Sequence, residues 1–188
     1  MKSYCVQILV VMSVLVILGG CGGSNGSENY AVGSTVSLSS GVTSGSSPAV
    51  TTSASASSDT GGVNITLTSA ILGTVTGTFT ASTISVPNYT VSYSYISDTA
   101  NDGNQYPIPG FTLAAGGTIS AGGSLAYTGL PTIKSEVKNY IKTTYPSVFS
   151  TYTGNILTYT AHIKFNGVED TTNKSVTSTT DVTLFITK

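Results

Sequence analysis

Apolar and polar residues alternate along most of the chain beyond residue 62. The segment 63–68 reads VNITLT and the segment 89–95 reads YTVSYSY, so every second side chain is apolar or aromatic. A period of two places those side chains on one face of a β-strand, which is typical of a sheet with one buried face. Turn-forming residues separate these segments. The pattern predicts strands near 35–38, 63–71, 88–96, 111–114, 118–127, 155–165 and 175–186.

One segment has helical spacing instead. Ile133, Val137, Tyr140 and Ile141 recur at intervals of three and four, after a proline and a threonine that could open a helix. We therefore expect one short helix over about 132–143, before the penultimate strand. Strands without interleaved helices predict an all-β fold, and their order predicts an antiparallel immunoglobulin-like or fibronectin-like sandwich of about seven strands.

The N-terminal apolar run is of a different kind. Lys2 is followed by an almost entirely aliphatic stretch, 6–18, and then by Gly19 and Gly20. A charged, an apolar and a small-residue region in this order are the layout of an export signal. A membrane-spanning helix is the alternative, but the run is shorter than the ~20 residues that cross a bilayer core.

The residues that end this run resemble a bacterial lipobox: Leu18-Gly19-Gly20-Cys21. The resemblance implies that the lipoprotein signal peptidase recognises Leu18, Gly19 and Gly20. It also implies that Cys21 becomes the first mature residue and carries a diacylglycerol and an N-acyl chain such as palmitate. Several acyl chains on one cysteine anchor a protein durably without spanning the membrane. Gly22, in place of an aspartate, implies the outer membrane if the cell has two membranes.

These features divide the chain into four parts. Residues 1–20 are the expected signal peptide, and 21–33 are a flexible Gly/Ser tether. The segment 34–61 is low in complexity, although Ser34–Leu38 alternates and is a candidate edge strand. The sandwich domain is expected over 62–188.

Composition narrows the function classes. Charged residues make up 8% of the chain, against roughly 25% in ordinary soluble proteins. The net charge is −1 and there is no basic run, so the sequence has no electrostatic footprint for nucleic acid. The only cysteine besides Cys21 is Cys5, which lies in the expected signal peptide, so we expect neither a disulfide nor a thiolate metal site.

The lipobox, the strand rhythm and the closing hairpin from Phe165-Asn166-Gly167 to Ile186 together resemble small, uncharacterised bacterial lipoproteins. Those proteins carry one immunoglobulin-like or fibronectin-like domain after a Ser/Gly tether. The resemblance implies an exported protein that is held at the membrane by its lipid and has a protein partner in the cell envelope.

The loop 98–104, DTANDGN, is the densest polar cluster. Oxygen-bearing side chains around a glycine can wrap a calcium ion, and a plain Asp-Gly turn is the alternative. The spacing does not follow the helix–loop–helix calcium motif, since its distal glutamate position falls on Pro109. The candidate ligands are Asp98, Asn101, Asp102 and Asn104.

Few other residues invite a specific chemistry. His162 is the only histidine, and we expect it on the hydroxyl-bearing face of a strand. A catalytic role would need a serine and an acid beside it, and we expect a surface histidine instead. Glu169 and Asp170 are also weak candidates for ligands. The residues that we expect to contact a partner from loops are Tyr106, Tyr145, Tyr152, Glu169 and Asp170.

Three function classes follow from this sequence. The favoured class is a non-catalytic envelope lipoprotein that acts as a structural or protein-interaction module, with no catalytic residue. The alternative is a surface adhesin or glycan-binding module that is assisted by calcium. A hydrolase is the least favoured class. We expect no cofactor apart from the lipid on Cys21 and, in the second class, calcium.

Overall fold

A computed structural model gives the fold. It describes residues 27–30, 34–59, 62–72, 82–150 and 154–188, and for 27–30 it describes the backbone alone. The strands are β1 (Ser27–Tyr30), β2 (Val36–Val42), β3 (Ala49–Ser53), β4 (Val63–Ile71), β5 (Ile84–Asp98), β6 (Phe111–Ala114), β7 (Thr118–Ile119), β8 (Ser124–Leu130), β9 (Leu157–Glu169) and β10 (Ser175–Thr187), and the helix, α1, is Ser135–Thr144.

Two sheets face each other. The large sheet has the order β1–β10–β9–β5–β6, with β3 also beside β10 and β7 also beside β5, and the small sheet has the order β2–β4–β8. The orders β2–β4–β8 and β10–β9–β5 match strands A–B–E and G–F–C of immunoglobulin domains. The expected all-β sandwich with one short helix before the penultimate strand is therefore confirmed.

The core lies between the two sheets. Alternation along each strand delivers its apolar side chains there, as the burial of every second residue of β9 and β10 shows. Fully buried side chains from both sheets include Leu38, Ile65, Leu67, Tyr89, Val91, Ile163, Phe165 and Leu184. The polar residues between them on each strand form the outer faces.

The segment upstream of residue 62 contributes more to the domain than its composition suggests. β1 lies inside the stretch 21–33 that was expected to be a tether, and its four residues pair with β10. β2 forms one edge of the small sheet, with Val36 and Leu38 fully buried. Hydroxyl groups replace apolar contacts in part of this packing, because the buried Ser40 hydroxyl is hydrogen-bonded to those of Ser178 and Thr180.

Two further elements differ from the expected strand pattern. β3 pairs parallel with the C-terminal half of β10, although the sequence pattern predicts no strand at Ala49–Ser53. The expected strand 118–127 is divided into β7 and β8 by a turn in which Gly122 has a φ of 70°. A positive φ is readily adopted by glycine, which explains the break.

Hydrogen bonds attach the N-terminal part of the helix to the sandwich. No side chain of the helix itself caps it, and the Ser135 N–H instead donates to Asp59 Oδ1 at 2.9 Å. One turn later, the buried Lys138 Nζ donates to the Ser58 carbonyl oxygen at 2.9 Å. Within the described residues, no helix is long and apolar enough to cross a membrane.

Candidate functional site

The polar loop after β5 is the first candidate site. Asp98 is the last residue of β5, is only 9% exposed, and its Oδ1 accepts a hydrogen bond from the Asn101 N–H. Its Oδ2 is buried and has no hydrogen-bond partner in the described part of the chain. Buried polar atoms without a partner are rare, because nothing offsets their loss of hydration. The Tyr95 hydroxyl lies near this carboxylate, since burial and the interaction with Asp98 raise the pKa of Tyr95 to about 12, but no well-formed hydrogen bond reaches Asp98 Oδ2.

Asp98 faces a cavity of about 260 Å³ at the end of the sheet. Six of the eight residues that line this cavity carry a side-chain oxygen, among them three of the four candidate ligands. The lining residues are Tyr95, Ile96, Ser97, Asp98, Asn101, Gly103, Asn104 and Gln105.

The fourth candidate ligand, Asp102, lies beside this cavity. Its Oδ1 accepts from the Asn104 N–H at 2.9 Å, and its Oδ2 accepts from the Tyr106 hydroxyl. The bond from Tyr106, together with that from the Asn104 N–H, is the main reason why the pKa of Asp102 is held below its usual value. The same bond, together with burial, raises the pKa of Tyr106 to about 12. Asp102 is therefore a carboxylate at neutral pH.

The loop is rigidly held at its start by Asn155. Asn155 Oδ1 accepts hydrogen bonds from the Thr99 N–H, the Thr99 hydroxyl and the Ala100 N–H, all within 3.1 Å. Its Nδ2 donates to the Val148 carbonyl oxygen, and the Asn155 side chain is buried. Two residues with positive φ, Asn101 (51°) and Gly103 (77°), then turn the chain.

A second cluster lies on the outer face of the large sheet, and its centre is His162. His162 Nδ1 lies 2.7 Å from Asp181 Oδ1, and His162 Nε2 lies 2.9 Å from Ser94 Oγ. A carboxylate can only accept, so Nδ1 carries a proton and Nε2 of the neutral ring accepts from Ser94. These contacts have the connectivity of a Ser-His-Asp triad.

Sheet register assembles this array. Asp181 on β10 is directly opposite His162 on β9, and Ser92 on β5 is opposite His162 on the other side, with Ser94 one pleat further along. His162 and Asp181 have side chains that are 33% and 58% exposed. The array therefore lies on a solvated face of the sheet, where the nearby backbone N–H groups are largely engaged in strand pairing.

Glu169 is not a surface residue. It is fully buried at the end of β9, where its Oε1 accepts from the N–H and hydroxyl of Thr35 and its Oε2 accepts from the Thr172 hydroxyl. Burial alone would raise its pKa, but these hydrogen bonds outweigh burial and hold the pKa below its usual value. Glu169 is thus removed from the contact candidates. Asp170 is exposed and accepts from the Thr83 hydroxyl.

The tyrosines expected to contact a partner are mostly packed. Tyr106 is 7% exposed, and its ring lies edge to face between those of Tyr95 and Tyr145. Its carbonyl oxygen accepts from the buried Tyr159 hydroxyl at 2.7 Å, so Tyr106 anchors the loop and is also removed from the contact candidates. Tyr145 is half-buried, and its hydroxyl donates to the Pro107 carbonyl oxygen.

Several expected functional positions lie outside the described residues. These are Leu18, Gly19, Gly20, Cys21 and Tyr152. Among the residues that are described, no three His, Cys, Asp or Glu side chains gather into a metal-binding group. Any cation site in this part of the chain would therefore combine carboxylates with amide, hydroxyl or carbonyl oxygens.

Ser94 and Asp181 were not selected from the sequence. One signal could have found Asp181: the short turn between β9 and β10 fixes the register of the hairpin, which places Asp181 opposite His162. Ser94 has no such signal, because β5 and β9 are distant in sequence and their register contains two irregularities.

The sequence matches no protein-family model, and no curated protein matches it.

Proposed function

We propose that the protein is a membrane-anchored envelope lipoprotein that acts as a non-catalytic protein-interaction module. The lipobox-like sequence that ends in Cys21 supports the anchor, and the sandwich supports a rigid binding domain. The observation that carries the proposal is the outer face of β5, β9 and β10, which is rich in small hydroxyl side chains.

This face has the properties of a polar protein-binding surface. Exposed or half-buried Ser92, Thr160 and Thr183 surround the hydrogen-bonded His162. At one end of the face, Ile96 is 54% exposed and supplies apolar area. Interfaces of this kind combine a few apolar contacts with adaptable hydrogen-bonding groups and few charges.

Site-specific photo-crosslinking in the protein's own cells tests this proposal. A photo-reactive amino acid is placed at Ser92, in the middle of the proposed face, in the full-length chain. We expect one crosslinked protein species, and we expect its yield to fall in a Cys21→Ser background, because the unanchored protein is no longer held near its partner.

The matched control places the same photo-reactive residue at Thr68, which is exposed on β4 of the small sheet. Crosslinking from Thr68 should be at background level. Equal products from both positions, or none from Ser92, would contradict the proposed interaction face.

The second candidate function is hydrolysis, which the Ser94–His162–Asp181 geometry specifically favours. In that reaction Ser94 Oγ attacks an ester carbonyl while His162 Nε2 takes its proton and then returns it to the leaving alcohol, and water later releases the acyl group. A fluorophosphonate probe on the full-length chain tests it. Labelling that Ser94→Ala and His162→Ala abolish would establish a reactive serine, whereas no labelling leaves the array as a surface hydrogen-bond network.

A further inference from the structure

We infer that the loop 98–104 binds a hard divalent cation of the calcium type, with the Asp98 carboxylate as its central ligand. The site is the cavity at the end of β5 described above. This inference does not depend on the proposed interaction face or on the lipid anchor.

Asp98 has a buried oxygen that is available to a ligand. Its side chain is nine-tenths buried, it lines the cavity, and its Oδ2 has no geometrically formed hydrogen bond among the described residues. Oδ1 already accepts from the Asn101 N–H, and the Tyr95 hydroxyl interacts with the same carboxylate. A coordinated cation would complete the partners of Oδ2.

The loop also carries negative charge without a basic partner. Asp102 is the next carboxylate in the loop, four residues after Asp98. Among the described residues, Lys134 pairs with Glu136 and the His162 ring pairs with Asp181, and neither pair involves this loop. A divalent cation between the two carboxylates would be attracted by both.

The loop can supply oxygen ligands of the type that calcium binds. Ca²⁺ takes six to eight oxygen ligands from carboxylates, amide side chains, backbone carbonyls and water. Besides the two carboxylates, Asn101, Asn104 and Gln105 bring side-chain amide oxygens to the same loop. Asp102 has hydrogen bonds to both oxygens, but each oxygen keeps a second lone pair. No nitrogen or sulfur ligand is present in this lining, which favours a hard cation.

The loop is held in place before any cation binds. Asn155 fixes residues 99 and 100 with three hydrogen bonds, and the buried Tyr159 hydroxyl fixes the carbonyl oxygen of Tyr106. The loop is thus held at both ends by buried groups, so little ordering remains to oppose binding. Irregular loop geometry of this kind suits Ca²⁺ better than Mg²⁺, which demands an octahedral site.

Terbium luminescence tests the inference with a probe suited to this protein. Tb³⁺ is a hard cation that occupies calcium sites and is excited by nearby aromatic rings. The chain has no tryptophan, and Tyr95 lines the cavity while Tyr106 donates to Asp102. We expect saturable terbium emission on excitation of tyrosine in the full-length protein, displaced by Ca²⁺ and much less by Mg²⁺.

Conservative variants locate the site. Asp98→Asn and Asp102→Asn keep the acceptors for the loop hydrogen bonds and should each weaken terbium binding by at least about tenfold. Glu136→Gln, at a 72% exposed glutamate on the helix surface, is the control and should bind as the unmodified protein does. Calcium should also raise the melting temperature of the unmodified protein, by an amount that grows with calcium concentration.

Two results would overturn the inference. One is the absence of saturable emission. The other is emission that Asp98→Asn and Asp102→Asn leave unchanged. If Asp98→Asn does not fold, Asp102→Asn and the calcium-dependent melting temperature still decide the matter. A negative result here leaves the crosslinking test at Ser92 unaffected, so the failure of one proposal is distinguishable from the failure of the other.

Discussion

Individual residues in this protein have roles that depend on what surrounds them. Glu169 and Asp170 are adjacent acids in the same hairpin, yet one is fully buried and the other exposed. The hydroxyls of Thr35 and Thr172 make burial of the Glu169 carboxylate tolerable, because they replace water as donors. Sequence reasoning ranked the two acids together, since it had no means of knowing that Thr35, 134 positions away, reaches one of them.

Glu169→Gln should destabilise the protein in a pH-dependent way. The folded pKa of Glu169 is lowered, so its contribution to the free energy of unfolding is present above the unfolded pKa of about 4.3 and is lost as pH falls through the folded pKa. We expect a loss of roughly 1–3 kcal/mol at neutral pH and a much smaller loss at about pH 3. Urea unfolding at the two pH values measures both.

Glu136→Gln is the control for this comparison. The Glu136 side chain is 72% exposed and pairs with Lys134 at 3.6 Å on the helix surface. A surface pair of this kind contributes little, so the variant should unfold like the unmodified protein at both pH values. An equal loss for Glu169→Gln at neutral and acid pH would show that its carboxylate charge is not what stabilises the hairpin.

At the scale of elements, α1 shows which part of local structure a sequence discloses. The spacing of Ile133, Val137 and Ile141 predicted the helix, and all three side chains are buried. The group that caps the helix could not be predicted, because the acceptor for the Ser135 N–H is Asp59 of a low-complexity segment 76 positions earlier. The spacing of apolar residues is a property of the local sequence, whereas this cap depends on tertiary packing.

Asp59→Ala should therefore weaken the helix from a distance. It removes the acceptor of a helix N-terminal N–H and a negative charge that is favourable at that end. We expect a loss of about 0.5–2 kcal/mol in the free energy of unfolding, with faster amide exchange at Ser135 and the residues that follow it. Asp170→Ala, an exposed aspartate far from the helix in sequence, serves as the comparison. Unchanged exchange in α1 would mean that the Asp59 contact is not formed in solution.

At the scale of the whole molecule, alternation predicted most of the strands but not the limits of the domain. The domain was expected over 62–188 with 34–38 as a candidate edge strand, and β2 is an edge strand there, with Val36 and Leu38 fully buried in the core. The serine-rich composition of this segment does not indicate that it is buried. Few large apolar side chains are needed there, because hydroxyls such as that of Ser40 form hydrogen bonds across the interface. The candidate cation loop was found from its composition, whereas the Ser94–His162–Asp181 array arises from strand register that composition does not reveal.

A chain that begins at residue 62 should fail to fold. It lacks the core side chains of Val36, Leu38, Val50 and Ala54, and a buried valine or leucine contributes about 1.5–3 kcal/mol. It also leaves one edge of β4 and part of β10 unpaired. A chain that begins at residue 22 retains β1, β2 and β3 and should unfold cooperatively. Circular dichroism and amide exchange compare the two. A cooperative transition in the shorter chain would show that β2 and β3 are dispensable.

The position of β1 would limit how far the domain can lie from a membrane to which Cys21 is attached. Only five residues lie between Cys21 and Ser27, where β1 begins, and the six residue steps from Cys21 to Ser27 span at most about 20 Å when extended. With the proposed lipid on Cys21, this short connection would hold the sandwich close to the lipid headgroups. Its binding partners would then be molecules that also lie near that surface. Confinement of both molecules to a thin layer would raise their effective concentration, so binding would not require high affinity.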